Sequence, residues 1–189
     1  FITFLAPGLI AMQVIQQSFA HSSSTFMIGK IQGNIVDLLY APLSPAEITI
    51  SISFASVTRS FVIAFISIIV FYLIIDFEVK HFFTLILFTF LSSFILGNIG
   101  IISGLWAEKF DHQATITNFV IVPLSFLSGT FYSIERLPKF LQTISEMNPF
   151  FYMIDGIRYC FIGQADGSIK VGIIYLLVLS ILSWLAAYI

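Results

Sequence analysis

The chain has 189 residues, 58% of them hydrophobic and 10% charged, with a net charge of −2 and a mean hydropathy of +1.01. Soluble domains carry about 25% charged residues, so a water-soluble globule is excluded, and with no basic field a nucleic-acid surface is excluded too. The single cysteine, Cys160, rules out an internal disulfide framework and a Cys-rich zinc site, and is expected to pack as a small apolar residue.

A helix that crosses hydrocarbon needs roughly 20 apolar residues. Asp, Glu, Lys and Arg are absent from 1–29, 82–107, 113–134 and 171–189, and Arg59 is the only charge in 48–75. These runs predict five spans near 5–28, 48–75, 82–105, 114–131 and 170–189. They form one membrane domain over 1–189, an all-α transmembrane helix bundle with lipid as its solvent. No internal repeat or low-complexity tract divides it. The first run has no basic n-region before it and no small-residue cleavage site after it, so it is not a signal peptide. Both ends read as cuts in a longer chain that has at least one more N-terminal segment.

In the first span Gln13, Gln16 or Gln17, His21 and Ser24 recur at steps of three and four. Polar groups in hydrocarbon face other helices or water. The stripe therefore either lines a path or makes interhelical hydrogen bonds worth about 0.6 kcal/mol each. The link that follows, Gly29 to Glu47, reads as a short helix, a stop and a new helix. Ile31, Ile35, Leu38 and Leu39 recur at helical spacing, and Lys30, Gln32, Asn34 and Asp37 fall mostly elsewhere. Pro42 ends this helix. Ser44-Pro45-Ala46-Glu47 has the form of a capping box, with Ser44 as cap, Pro45 at the first helical position and Glu47 reaching back. Such a helix is an interfacial anchor or a docking element.

In the second span Arg59 lies about 20 Å from Pro45. Its insertion costs at least ~2.5 kcal/mol, so it faces the bundle or a wet cavity. In the third span Ser93, Gly97, Gly100 and Gly104 make a small-residue face for close packing, against a partner inside the chain or in a second copy. The short link beyond carries Glu108, Asp111 and His112, which read as solvated charges rather than a metal site. In the fourth span Pro123 removes a backbone hydrogen bond and predicts a kink. Asn118, Ser125, Ser128 and Gly129 stand near it.

The last link, Tyr132 to Lys170, carries two helices too polar or too interrupted to span. Leu137, Phe140, Leu141, Ile144 and Met147 form the apolar face of one. Asn148 caps the other and Pro149 opens its first turn. Asp155 and Arg158 stand three apart, close enough to pair. Ala165-Asp166-Gly167-Ser168 turns the chain into the final span. A surface lid and a substrate gate both fit this pattern. Nowhere does G-x-x-x-x-G-K-[ST] occur, so this chain has no phosphate-cradling loop of an ATPase. Ser22-Ser23-Ser24 has no positioned base, and no catalytic constellation is present.

Several of these stretches together resemble the permeases of the ABC-2 type transporter family, the membrane half of ATP-driven exporters. They are Pro7-Gly8-Leu9-Ile10, the run from Gly29 to Leu39 into Ala41-Pro42-Leu43-Ser44 and Glu47, and above all Pro123-Leu124-Ser125-Phe126-Leu127-Ser128-Gly129-Thr130-Phe131-Tyr132. The likeness continues through Leu137-Pro138 and Asn148-Pro149 to Asp155 and Arg158, in matching order over essentially the whole chain. The stretch from Trp106 to His112 is similar to the bacterial branch labelled multidrug permease.

The resemblance implies six spans in the full protein, the first of them missing here, and a location in the bacterial inner membrane. It implies that Gly29, Lys30, Gly33, Asp37, Leu38, Leu39, Pro42 and Glu47 belong to a cytoplasmic coupling helix and its exit, which dock on a separate ATPase subunit. ATP and magnesium would be bound by that subunit, and this chain would bind no cofactor and no metal. The implied assembly is two permease copies, identical or homologous, with two ATPases. Tyr132 to Gly163 would be extracytoplasmic re-entrant helices, with Asn148, Pro149, Asp155 and Arg158 at a gate. Gln13, Gln16, Gln17, Arg59, Asn118, Pro123 and Ser125 are the candidate pathway residues.

Charge alone points the other way across the membrane. Alternation puts Lys30 and Lys109 on one side and Lys80, Arg136, Lys139, Arg158 and Lys170 on the other, so a naive positive-inside count inverts the protein. That rule weights the first span and its flanks and is obeyed poorly by long links. An ion-driven secondary carrier is the alternative reading. It predicts midplane acids and paired broken helices in two halves, whereas Asp76, Glu78 and Glu108 sit near span ends.

Overall fold

The computed structural model describes residues 2–74, 78–134 and 137–188, and only the backbone of Leu38 and Leu39. Asp76 and Arg136 lie outside the described residues. Among those described, every regular element is helical: α1 (Ile2–Gln32), α2 (Ile35–Tyr40), α3 (Pro45–Ile74), α4 (Phe82–Trp106), α5 (Phe110–Ile116), a π-helical segment (Thr117–Ile121), α6 (Val122–Leu127), α7 (Lys139–Met147), α8 (Pro149–Ile162) and α9 (Ile169–Tyr188). Four of them, α1, α3, α4 and α9, are long and apolar enough to cross a membrane.

The bundle is organised around α4, which packs against α1, α3, α8 and α9. The small-residue face of α4 makes this possible. A Cβ on Gly100 would lie 2.6 Å from the Phe19 carbonyl oxygen, and one on Gly104 would lie 2.7 Å from that of Ser23. One on Gly97 would meet the Ser56 hydroxyl at 2.3 Å. The partners of this face are therefore α1 and α3 of the same chain. In lipid, close backbone packing takes the place that hydrophobic burial has in water.

Hydroxyls and an amide join the same helices. Ser18 and Ser60 share a 2.5 Å hydrogen bond between α1 and α3. The Ser53 hydroxyl donates to Asn98 Oδ1 at 2.7 Å, and Asn98 Nδ2 reaches Ser183 Oγ at 3.5 Å, so one buried amide ties α3, α4 and α9. The apolar core lies beside this seam, where Phe19, Phe88, Ile95, Met153, Ile154 and Ile157 are fully buried. Gly156 of α8 leaves room for the Phe88 ring, whose nearest atom would sit 2.2 Å from an added Cβ.

Two expectations change. The fourth span, expected over 114–131, is not one regular helix but a composite of α5, the π segment and α6, from Phe110 to Leu127. Pro123 has no N–H for the carbonyl four residues back, and the preceding turn widens so that the Val122 N–H bonds to the Thr117 carbonyl instead. The composite is about 27 Å long and runs antiparallel to α4. The helix expected from Gly29 to Leu39 is also two pieces. The first span continues to Gln32, Gly33 takes φ +78°, and α2 restarts at Ile35. Left-handed geometry of that kind suits glycine and ends a helix.

These connections give the bundle two ends. Lys30 at the end of α1 meets the carbonyls that close α4, so the 33–44 and 107–109 links share a Lys30 end. Lys80 meets the last carbonyl of α8, so the 78–81 link, the α6–α8 region and the turn before α9 share an Arg158 end.

Candidate functional site

At the Lys30 end the α1–α3 link is short, exposed and sharply turned. Asp37 is exposed, and its N–H bonds to the Asn34 carbonyl at 3.1 Å as α2 begins. Ala41, before Pro42, is extended (φ −63°, ψ 141°), as the proline ring requires. The capping box forms as the sequence predicts. Glu47 Oε2 accepts the Ser44 N–H at 2.7 Å, and the Glu47 N–H donates to Ser44 Oγ at 3.3 Å. Gly29 packs against Ile35, folding α2 back onto the last turn of α1.

Lys30, expected on a docking surface, is engaged within the chain. Its Nζ donates to the carbonyls of Gly104, Leu105 and Ala107, at 3.0 Å for Gly104 and 3.1 Å for Ala107. A cation there satisfies the orphan carbonyls that close α4. What the link presents outward is apolar: Ile31, Val36 and Leu43 are exposed and Tyr40 is 86% exposed. Sequence reading did not single out Tyr40. An aromatic residue at the end of a short helix, next to a proline stop, was the available signal.

From the Lys30 end inward a cleft of about 460 Å³ opens between α1, α3 and the α5–π composite. Its lining includes His21, Ser24, Arg59, Gln113, Thr117 and Asn118. The structure thus brings Arg59 and Asn118 together with the lower part of the α1 stripe. Arg59 Nη1 lies 3.2 Å from His21 Nδ1. Gln13, Gln16 and Gln17 lie one to two turns further along α1, Gln13 exposed and the other two half-buried. Pro123 and Ser125 are elsewhere. Ser125 is fully buried, and its hydroxyl donates to the Ile121 carbonyl at 2.7 Å, bridging the π segment to α6.

At the Arg158 end Asn148 accepts the Phe150 N–H at 3.1 Å as the cap of α8, with Pro149 in the first turn. Its amide also donates to Ser128 Oγ at 2.8 Å. Asp155 and Arg158 feel each other's charge, as their spacing allows, but their hydrogen bonds go elsewhere. Asp155 accepts the backbone N–H groups of Asp166 at 3.0 Å and Gly167 at 2.9 Å. Burial pushes its carboxyl up from the ordinary carboxylate range, and those two N–H groups pull it back. Arg158 donates to the Gly129 carbonyl and lies 4.1 Å from the centre of the Phe4 ring. Tertiary partners outcompete a neighbour on the same helix because both side chains are buried. Cys160 is buried too, its thiol pushed up to about 12, and its Sγ faces the Gly156 carbonyl. An apolar hollow of about 620 Å³ lies under α7, between Leu124, Leu137, Leu141, Ile144 and Phe150.

With this geometry in view, comparison with known proteins is decisive. The family model for ABC-2 type transporters matches residues 1–162. The chain belongs to the ABC-2 type transporter family. It is 34% identical over 166 residues to the inner membrane transport permease YadH of Escherichia coli K12 and of Shigella flexneri. That match covers 88% of this chain and 65% of YadH. Nodulation protein J of Rhizobium leguminosarum bv. viciae is 29% identical over 79 residues, 41% of this chain and 30% of that protein. This ABC-2 chain is accordingly a multi-pass protein of the inner membrane, with α1, α3, α4 and α9 as its long apolar helices. The chain spans about two thirds of the length of YadH, and the relatives differ from it over most of their aligned residues.

Proposed function

We propose that this chain is part of the permease subunit of an ATP-driven exporter, in which two permease copies and two ATPase subunits form the working transporter. The observation that carries the reading is the α1–α3 link. It leaves Val36, Asp37, Tyr40 and Leu43 exposed at the tip of two long helices, and the chain itself has no phosphate-cradling loop. The ATP and magnesium of the proposed motor would then be bound outside these residues, on this reading by a separate ATPase subunit.

The mechanism is mechanical. Closure of the ATPases around ATP pushes α2, which is too short to absorb the force and passes it to the end of α1 and the start of α3. The capping box keeps the first turn of α3 rigid, and Lys30 ties the end of α1 to the end of α4. The push therefore tilts α1 and α3 against the α5–π–α6 composite, whose widened turn gives way most easily. The cleft between them, with Arg59 and Asn118, changes its access from one side to the other.

The test is Asp37→Pro in the full-length permease. Wild-type yield of the permease–ATPase complex with export abolished is the expected result. Export at the wild-type rate would sink the coupling assignment.

A further inference from the structure

The cleft between α1, α3 and the α5–π composite has a chemistry of its own. Arg59 cannot accept a hydrogen bond, so its 3.2 Å contact with His21 Nδ1 makes the imidazole the acceptor. His21 is therefore neutral, with its proton on Nε2. The pair presents N–H groups only. Ser24, Gln113, Thr117 and Asn118 add hydroxyls and amides to the lining. No lining residue is acidic, and Glu108 and Asp111, close by in the chain, are outside the cleft.

The existing bonds show which donors are already used. The Ser24 hydroxyl donates to the His21 carbonyl, Thr117 donates to the Gln113 carbonyl, and the Gln113 amide donates to Ser23 Oγ. The guanidinium has five N–H donors, of which the His21 contact occupies one. Arg59 is exposed, a permanent positive charge within a membrane-spanning helix is costly without an anion, and no described residue lining the cleft is acidic. Its guanidinium fork matches carboxylate and phosphate geometry.

We infer that this cleft binds an anionic group, a phosphate or carboxylate, carried by the transported substrate. Arg59 makes the charge-assisted contact and His21 holds the guanidinium fork towards the opening. Phe110, Ala20 and Ala114 give the cleft apolar walls beside the charge, which suits an amphiphile with an acidic head. The inference rests on the transport reading above and narrows its substrate class.

The test is a binding measurement without nucleotide, on the full-length permease–ATPase complex in phosphatidylcholine nanodiscs. Dodecyl phosphate, dodecyltrimethylammonium and inorganic phosphate are titrated by calorimetry. Dodecyl phosphate is expected to bind saturably, at least ten-fold more weakly to R59Q, with partial recovery in R59K. His21→Phe and Asn118→Leu should each weaken it less, and they serve if R59Q is not monodisperse. Competition by inorganic phosphate at comparable concentration would assign the site to a soluble anion, and competition only by the amphiphile would assign it to a lipid-like head. Equal binding of dodecyltrimethylammonium, or unchanged dodecyl phosphate binding in these variants, would overturn the inference. Because no ATP is used, failure here leaves the Asp37→Pro result standing, and failure of coupling leaves this binding intact.

Discussion

At the Arg158 end, the described returns of the chain are fastened by polar side chains, most of them buried or half-buried. Arg158 holds the Gly129 carbonyl, Asp155 holds the turn at Asp166 and Gly167, Asn148 holds Ser128, and Asp166 holds the Ile134 N–H at 2.9 Å. Lys80 closes α8 on the Ile162 carbonyl at 2.7 Å. At the Lys30 end, among the described residues, long-range or capping hydrogen bonds fasten the flanks of the link, Lys30 on α4 and Ser44 with Glu47 at the start of α3, while α2 is held by the packing of Ile35. Between them α2 exposes Val36, Asp37 and Tyr40. On the proposed reading, a cap that stays shut and a surface that meets an ATPase would call for these different constructions. The contrast predicts that substitutions at one end change stability and those at the other change coupling.

The largest effect should come from Arg158→Ala. A buried hydrogen bond from a charged group is worth about 1.5–3 kcal/mol, and the Gly129 carbonyl would lose its partner, so detergent-melting stability should fall by that order. Asp155→Ala should follow at about 1–3 kcal/mol, because two buried N–H groups lose their acceptor. Melts read by fluorescence-detected gel filtration check both, and a wild-type curve for either would remove the distinction between the ends. Glu47→Ala should act more locally. Faster amide exchange at 45–48, with the global melt little changed, is expected, and unchanged exchange would mean that the cap is not holding α3.

The smallest stability effect belongs to Asp37→Ala, within about 0.5 kcal/mol as for an exposed site, yet ATP-driven export should drop. Stability loss there would place α2 inside the fold rather than at a docking surface. Cys160 offers an internal control. Burial pushes its thiol up to about 12 and keeps it in the unreactive protonated form. Maleimide should therefore react only as the protein melts, and labelling of the native protein would contradict its burial.

Features set by local chemistry were legible in the sequence. Charge-free runs marked α1, α4 and α9, and a run with Arg59 as its only charge marked α3. Ser44-Pro45-Ala46-Glu47 and Asn148-Pro149 marked two helix starts that the structure reproduces with the expected hydrogen bonds. The small face of α4 was legible as a face, but its partners were not, because Phe19, Ser23 and Ser56 are far away in the chain. The acceptors of Lys30 were hidden for the same reason, lying 74 to 77 residues away. The Asp155–Arg158 pair followed helical spacing, which cannot see the carbonyl of Gly129. The break at Gly33 was hidden because Ile31 and Ile35 keep helical periodicity across it. Arg59 and Asn118 were singled out separately, and only the three-dimensional packing places them in one cleft with His21.

The most direct test of the account asks whether the two ends lie on opposite sides of the membrane, with α2 facing the compartment that holds ATP. Single cysteines at Gln32 and at Thr143, both exposed, would be placed in a Cys160→Ser background and treated in intact cells with an impermeant thiol reagent. The account predicts labelling at Thr143, and labelling at Gln32 only after the cells are opened. Labelling at Gln32 in intact cells, with Thr143 protected until lysis, would contradict it.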